Sequence, residues 1–254
     1  MRPLISTVLP VFLGFSQHAV YAQTAAKTQT LRFSGYDWTV KSGKVIGPGP
    51  NDWNAANVRV DTSGALHLKI AKREGRWSCG EVMMTRSLGF GTYTFEVEGR
   101  IDRLDPNVVL GLFNYTTPEV GPDGTNEIDI EISRWGVTKF PNGNYTVWPA
   151  KSGVKQTSKT FEFSLPGGGP AVTTQRFTWS RDQILFESLY GRPNDGGREL
   201  GRWLFEPTAS QDGVPQHPLP VLMNLWLMRG LPPADGREIE IVVRRFTFTP
   251  PASS

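Results

Sequence analysis

Cysteine and histidine are scarce in this chain. Among 254 residues there is one cysteine, Cys79, and there are three histidines, His18, His67 and His217. A single cysteine excludes an intramolecular disulfide. A nucleophilic Cys or Ser needs a histidine base and zinc is held mainly by Cys and His, so the sequence disfavours both kinds of site. We predict a buried, inert thiol for Cys79; because it alternates with Glu81, a place beside a cleft is the other interpretation.

Runs of basic residues and long apolar segments are also missing. Lys and Arg together number 27 against 24 Asp and Glu, and the net charge of +3 is spread along the chain. Nucleic acid is therefore not an expected partner, whereas an acidic polysaccharide is compatible with the mild positive charge. After the N-terminal leader no segment approaches the roughly 18 apolar residues of a membrane-spanning helix, so no membrane partner is expected after processing.

The N-terminus has the organisation of a secretory signal. Arg2 supplies a positive charge, residues 4–15 are mostly apolar, and Val20-Tyr21-Ala22 offers small residues for cleavage. The sequence predicts a signal peptide over 1–22, a polar linker over 23–30, and a secreted or periplasmic mature protein. A membrane anchor is the alternative, but the apolar stretch is short and is interrupted by proline and glycine.

The remaining chain has the pattern of an all-β domain. It lacks internal repeats and any run of ten or more residues with helical periodicity, while 27 Gly and 20 Pro provide frequent turns. Alternation of apolar and polar residues is clearest over 66–70, 92–101, 127–133 and 238–248. Many short strands with Gly/Pro turns indicate one sandwich or barrel domain, over residues 31–250.

Three carboxylates alternate along one predicted strand. Side chains two residues apart share a face of a strand, so Glu127, Asp129 and Glu131 point one way and the intervening isoleucines point into a core. Like charges in a row cost stability, which favours a chemical role for them. Glu127 and Glu131 are about 13 Å apart at their Cα atoms on a straight strand, and two inward-leaning side chains can approach the separation of roughly 5–5.5 Å of a retaining glycosidase pair.

An ordinary half-exposed strand is the competing interpretation. Glu96 and Glu98, and likewise Glu238 and Glu240, alternate with apolar residues in the same way. The central Asp129 distinguishes the 127–131 segment, and so does its lack of a close cation, the nearest in sequence being Arg134.

Segments across residues 31–250 resemble glycoside hydrolase family 16, the family of lichenases, laminarinases and agarases. The similar segments are Glu127-Ile128-Asp129-Ile130-Glu131, residues 79–85 with 90–97, residues 109–115, residues 175–179 with 184–186, and Met223-Asn224-Leu225-Trp226. The resemblance implies a two-sheet, curved β-jelly-roll sandwich with a carbohydrate cleft on its concave face. It also implies that Glu127 is the nucleophile, that Glu131 is the acid/base, and that Asp129 hydrogen-bonds the nucleophile and tunes both. A charged Glu127 would raise the pKa of Glu131, as the acid role requires.

Further residues are predicted to bind the substrate. By resemblance these are Glu81, Phe113, Tyr115, Asn224 and Trp226. Pro141-Asn142-Gly143 indicates a hairpin that returns the chain along Asn144, Thr146 and Trp148, which share a face. If that face is the cleft face, Asn144 and Trp148 flank the carboxylates; the alternative is that Trp148 packs at the edge of the core.

Some positions depart from the lichenase pattern. Thr125-Asn126 stands where lichenases usually carry Trp-Asp, and Glu81-Val82-Met83 lacks the arginine of the Glu-x-Arg pair. The sequence thus predicts a secreted, endo-acting retaining β-glycosidase of a β-linked polysaccharide, with a β-glucan as the expected substrate. The alternatives are a non-catalytic carbohydrate-binding jelly roll and a transglycosylase that uses the same residues. We expect a monomer without cofactor or catalytic metal; the sequence does not determine whether structural calcium is bound.

Overall fold

The computed structural model describes residues 29–193 and 195–252. The predicted signal peptide and all but the last two residues of the predicted linker lie outside the described residues. Thr30, the last residue assigned to that linker, begins the first strand. No helix within the described ranges is long and apolar enough to cross a membrane.

Two curved antiparallel sheets form a jelly-roll sandwich, as predicted. The first sheet contains, from edge to edge, β1 (Thr30–Phe33), β2 (Tyr36–Val40), β8 (Gly80–Leu88), β17 (Leu219–Leu227), β10 (Val108–Asn114), β11 (Glu127–Ser133), β12 (Gly143–Trp148) and β13 (Thr157–Phe161). The second contains β16 (Glu199–Phe205), β15 (Ile184–Tyr190), β14 (Val172–Trp179), β9 (Gly91–Glu98), β18 (Ile239–Thr249), β6 (Leu66–Arg73) and β5 (Val58–Val60), with β7 (Arg76–Ser78) paired to β6.

Short elements complete the fold. The hairpin of β3 (Gly43–Ile46) and β4 (Asn51–Trp53) lies outside both sheets. The helical segments are α1 (Ser210–Gly213) and three 3-10 turns at Ala55–Asn57, Ile101–Arg103 and Met228–Gly230. The strand predicted over 92–101 is shorter in the structure and ends at Glu98. Gly99, at φ 148°, departs from the strand conformation, and the chain then turns at Ile101–Arg103.

The core between the sheets is built by the apolar positions of the alternating strands. Ile128, Ile130 and Ile132 of β11 are fully buried there, which leaves the acidic positions of that strand on the opposite face. The Cys79 thiol is also fully buried and lies 3.4 Å from Oδ1 of Asn51. The prediction of a buried thiol is confirmed, and burial raises the pKa of Cys79 to about 12, which disfavours the reactive thiolate.

Candidate active site

The outer face of the first sheet carries a cross-strand row of residues, all polar except one glycine, that extends over five strands. Glu131 of β11 is paired with Gly111 of β10, Gly111 with Asn224 of β17, and Asn224 with Glu81 of β8. These residues are far apart in sequence and are aligned by strand pairing, because residues directly opposite on antiparallel strands share a face. On the other side of Glu131 the row continues to Asn144 of β12.

The hairpin β11–β12 places three more side chains beside the carboxylates. Trp148 is opposite Glu127, Thr146 opposite Asp129, and Asn144 opposite Glu131. The Trp148 indole donates a hydrogen bond of 3.0 Å to Oδ2 of Asp129. The predicted hairpin is confirmed, and the alternative that Trp148 packs at the edge of the core is wrong, since register puts it on the carboxylate face.

Burial sets the protonation of the three carboxyl groups. It raises the pKa of Glu127 to about 8; a hydrogen bond with Asp129 opposes the rise, and the charge of Glu131 adds to it. Burial also raises the pKa of Asp129 well above its usual range, and there the nearby charge of Glu127 and the hydrogen bond to Glu127 act in the same direction. This bond lowers the pKa of Glu127 and raises that of Asp129, so it favours placing a shared proton on Asp129.

Glu131 has a raised pKa as well. Burial is the largest cause, the charge of Asp129 adds to it, and a hydrogen bond with Asn144 opposes it. From the sequence, this rise is expected to come from the charge of Glu127. In the structure the neighbouring charge that acts on Glu131 is that of Asp129, which stands between the two glutamates on the same face.

The outer face of the first sheet forms the floor of one cleft, which has a volume of about 300 Å³. Of the predicted site residues, the ones that line it are Glu81, Phe113, Tyr115, Glu127, Glu131, Asn224 and Trp226. Asp129, Asn144 and Trp148 do not line it and instead contact the glutamates or their neighbours.

Aromatic rings form the walls of the cleft beside the carboxylates. The rings of Phe113 and Tyr115 meet edge to face with centroids 6.1 Å apart, and Trp226 meets Trp135 in the same manner at 6.3 Å. The Tyr115 hydroxyl donates a 3.0 Å hydrogen bond to Asp123, which fixes that ring at the Glu127 end. Flat apolar ring faces next to acids and amides suit a ligand with alternating C–H and hydroxyl surfaces, such as a sugar.

Four lining residues were missed by the sequence argument: Lys41, Gly47, Pro48 and Leu222. Lys41 follows β2, and the next two belong to the turn of the β3–β4 hairpin. Nothing local marks them, because they reach the cleft through the pairing of β2 with β8 and the folding of the hairpin over the sheet. Leu222 could have been found from its alternation with Asn224 and Trp226 on β17.

The positions that depart from the lichenase pattern offer little to a ligand. Thr125 is buried and donates its hydroxyl to the carbonyl of Pro122 at 2.7 Å. Met83 is 42% exposed and pairs with Leu222, two residues along β8 from Glu81. Among the described residues no group of three or more His, Cys, Asp and Glu side chains is arranged to hold a metal ion. The absence of a cofactor remains a prediction.

Solved structures share this architecture. The β-glucanase of Bacillus licheniformis superposes with a TM-score of 0.60 at 22% identity, over 89% of this chain and 99% of that one. A family 16 endo-glucanase from Bacteroides ovatus, in complex with G4G3G-2F-DNP, gives a TM-score of 0.62 at 12% identity, over 84% and 94%. The chain has the fold of glycoside hydrolase family 16.

The family 16 fold is also found in a protein described as an immunostimulatory antigen and pseudo β-1,3-glucanase of Mycobacterium tuberculosis. It superposes with a TM-score of 0.60 at 20% identity, over 84% of this chain and 91% of that one. No family model and no curated protein matches the sequence. The resemblance inferred from short motifs is thus confirmed at the level of the fold.

Proposed function

We propose that this protein is an endo-acting retaining β-glycosidase that hydrolyses a β-glucan. The observation that carries the proposal is that Glu127 and Glu131 line the same cleft, with Asp129 between them on one strand face. A lone acidic strand on a solvated surface would have neither the burial nor the raised pKa values of these groups. Two structural neighbours, a β-glucanase and an endo-glucanase, act on this substrate class.

The two glutamates then divide the chemistry of a double displacement. Ionised Glu127 attacks the anomeric carbon while Glu131 gives its proton to the departing glycosidic oxygen, and a covalent glycosyl-enzyme forms. In the second half Glu131 takes a proton from water, and the resulting hydroxide equivalent displaces Glu127 from the anomeric carbon. Two inversions at the same carbon return the β configuration.

The electrostatics of the cleft act on both roles. The hydrogen bond with Asp129 lowers the pKa of Glu127 and so favours the ionised nucleophile, whereas burial opposes it and raises that pKa to about 8. Burial raises the pKa of Glu131 and so favours its protonated form, which a general acid requires. Asp129 therefore acts through Glu127, and the Trp148 indole holds Asp129 from the other side.

Substrate binding falls to the walls of the cleft. Phe113, Tyr115 and Trp226 offer ring faces to the C–H faces of glucose units, and Glu81 and Asn224 offer hydrogen-bonding groups to hydroxyls. Asn144 contacts Glu131 and acts as a partner of the acid.

A panel of glucans and galactans tests the reaction and its stereochemistry. Release of reducing ends as a mixture of short oligosaccharides supports endo-hydrolysis, and early proton NMR should show β anomers first. Immediate α product would exclude the retaining scheme. Products longer than the substrate, detected by mass, would indicate the transglycosylase alternative.

A non-catalytic carbohydrate-binding jelly roll is the second candidate. It is favoured by one observation, the shared fold with a protein described as a pseudo β-1,3-glucanase. The two candidates differ in the fate of a bound glucan. Binding without any release of reducing ends would support the second candidate and overturn the first.

Export is proposed together with the activity, since polysaccharides are met outside the cytoplasm. It is supported by the charge, the apolar stretch and the Val20-Tyr21-Ala22 site of the N-terminal segment. N-terminal sequencing of protein recovered from the periplasm or the medium should begin at Gln23. Recovery of full-length protein in the cytoplasm alone would overturn this part.

A further inference from the structure

Lys41 makes an ion pair inside the cleft. Its Nζ lies 2.9 Å from Oε1 of Glu81, and the two side chains are only 25% and 7% exposed. The backbone N–H of Lys41 also donates to the carbonyl of Glu81 at 3.0 Å, so the two residues are held together at two points. An ion pair with this little solvent is far less screened than a surface pair, and removing one partner leaves a buried charge.

The second oxygen of Glu81 fixes the orientation of an amide. Nδ2 of Asn224 donates to Oε2 of Glu81 at 3.0 Å. A carboxylate that is paired with a lysine can only accept hydrogen bonds, so it selects the amide nitrogen of Asn224 and turns Oδ1 away. Lys41, Glu81 and Asn224 therefore form a relay of three side chains, in which an ion pair is followed by a hydrogen bond.

The relay ends in an acceptor without a partner. Asn224 is 1% exposed, and within the described part of the chain its Oδ1 receives no hydrogen bond. A buried carbonyl oxygen without a donor is costly, and such atoms are few in native proteins. Because Asn224 lines the cleft, a donor group of a bound ligand can satisfy this oxygen.

Gly111 makes room for this oxygen. A Cβ atom at position 111 would lie 2.4 Å from Oδ1 of Asn224, so only glycine allows the amide to lie over β10. Gly111 is the cross-strand partner of both Asn224 and Glu131. The free acceptor thus lies in the same cross-strand row as Glu131.

We infer that Lys41 is a positioning residue for substrate binding: through Glu81 it holds the Asn224 amide so that Oδ1 accepts a hydrogen bond from a sugar hydroxyl. The inference rests on the proposed function and names a determinant of sugar recognition within that site. Lys41 itself does not touch the sugar, because its Nζ is already engaged by Glu81, by the carbonyl of Gly47 at 2.7 Å and by the Trp53 ring at 4.3 Å.

A purely structural role predicts a different outcome. Lys41 also ties down the Gly47 turn that walls the cleft, so its loss could simply loosen that wall. The relay predicts that the effects of changing Lys41 and Asn224 are not additive, since both act through one hydrogen bond. Loosening of the wall predicts additive effects.

The experiment compares Lys41→Met, Lys41→Arg, Asn224→Ala and the double variant Lys41→Met/Asn224→Ala. Lys44→Met is the matched control, because Lys44 lies only three residues further on, in β3, is exposed, and forms no ion pair among residues 29–193 and 195–252. We expect Lys41→Met to raise KM for the best glucan about tenfold, the value of one hydrogen bond, with kcat changed less than about threefold. Lys41→Arg should restore most of the loss, and the double variant should resemble Asn224→Ala.

Binding separates this inference from the proposed function. Calorimetry with glucan oligosaccharides on Glu127→Gln protein, with and without Lys41→Met, reports recognition without turnover. If wild-type protein cleaves glucans but Lys41→Met matches it in KM and in binding, the inference is wrong and the function stands. If no glucan is cleaved and Lys41→Met still weakens binding about tenfold, the relay stands and the function is wrong.

Discussion

The Trp148 indole donates a 3.0 Å hydrogen bond to Oδ2 of Asp129, although the two residues are 19 positions apart and on different strands. This bond lowers the pKa of Asp129 against the larger opposite effect of burial. It also leaves the other carboxyl oxygen free for Glu127. The orientation of the carboxyl between the two glutamates thus depends on an indole contributed by the next strand.

Replacing this indole tests its role. Trp148→Phe keeps an aromatic ring but removes the donor, so the pKa of Asp129 should rise further and kcat should fall by about tenfold as the carboxyl loses its position. Trp203→Phe is a suitable control, because in the described chain its indole N–H makes no hydrogen bond and it lies on the second sheet. An unchanged kcat together with an unchanged pH–rate profile would contradict the role.

Glu127→Gln should abolish turnover without unfolding the protein. The change is nearly isosteric and removes only the nucleophilic charge, and a loss on the order of 10³ or more in kcat is expected. Glu96→Gln makes the same chemical change on β9 of the other sheet and should retain activity. Circular dichroism confirms folding of both variants, and a Glu127→Gln protein with wild-type turnover would refute the assignment.

Glu131→Ala should be inactive on polysaccharide for a different reason. Without the acid, departure of a sugar is slow, but an activated aryl leaving group needs no proton, so the enzyme should still become glycosylated. Azide should then restore turnover by attacking the glycosyl-enzyme and giving a β-glycosyl azide. An inverted α-glycosyl azide from the Glu131 variant, with a β-glycosyl azide from the Glu127 variant, would mean that the two roles are reversed.

Stability should fall as the pH rises through the range in which the cleft carboxyls ionise. The pKa of Glu127 is about 8 in the fold against 4.5 for an ordinary glutamate, so between these values the folded state binds more protons than the unfolded state. The stability that this proton uptake contributes is fully present below pH 4.5 and is lost as the pH rises towards about 8. Gln cannot ionise, so the free energy of unfolding of Glu127→Gln should gain on that of the wild type as the pH rises. Between about pH 5 and about pH 8 the difference between variant and wild type should increase by at least about 1 kcal/mol. Urea denaturation at both pH values measures it, and a constant difference would contradict the burial argument.

Lichenan should be a poor substrate. Thr125 stands where lichenases carry an aromatic residue, and its hydroxyl is already bonded to the carbonyl of Pro122. Met83 stands where they carry an arginine and has no charge. Neither residue replaces the contact of its lichenase counterpart. Lys41 does not substitute, because Glu81 and Gly47 occupy its ammonium. Each lost contact is worth about 1–3 kcal/mol, which together lower kcat/KM by about 100-fold or more.

The comparison for this prediction is kcat/KM on lichenan against laminarin and agarose. We expect a β-1,3-linked glucan or another plain or acidic polysaccharide to be the better substrate. A clear preference for lichenan would mean that other residues of the cleft make the two missing contacts.

The sequence alone determined the parts of the site that depend on one strand or one hairpin. Alternation placed Glu127, Asp129 and Glu131 on one face and the isoleucines in the core, because side chains of a strand alternate between its faces. The turn at Pro141-Asn142-Gly143 and the same alternation brought Asn144 and Trp148 onto the neighbouring strand.

Tertiary structure alone decided the rest. Whether Trp148 faced the carboxylates or the core depended on register, since a shift of one residue exchanges the two faces. Lys41 meets Glu81, and Gly111 separates Asn224 from Glu131, only because β2, β8, β17, β10 and β11 are adjacent in a sheet whose order is not the order of the chain. Burial of the carboxyl groups, which sets their pKa values, likewise arises from all the strands that wall the cleft and not from any one segment.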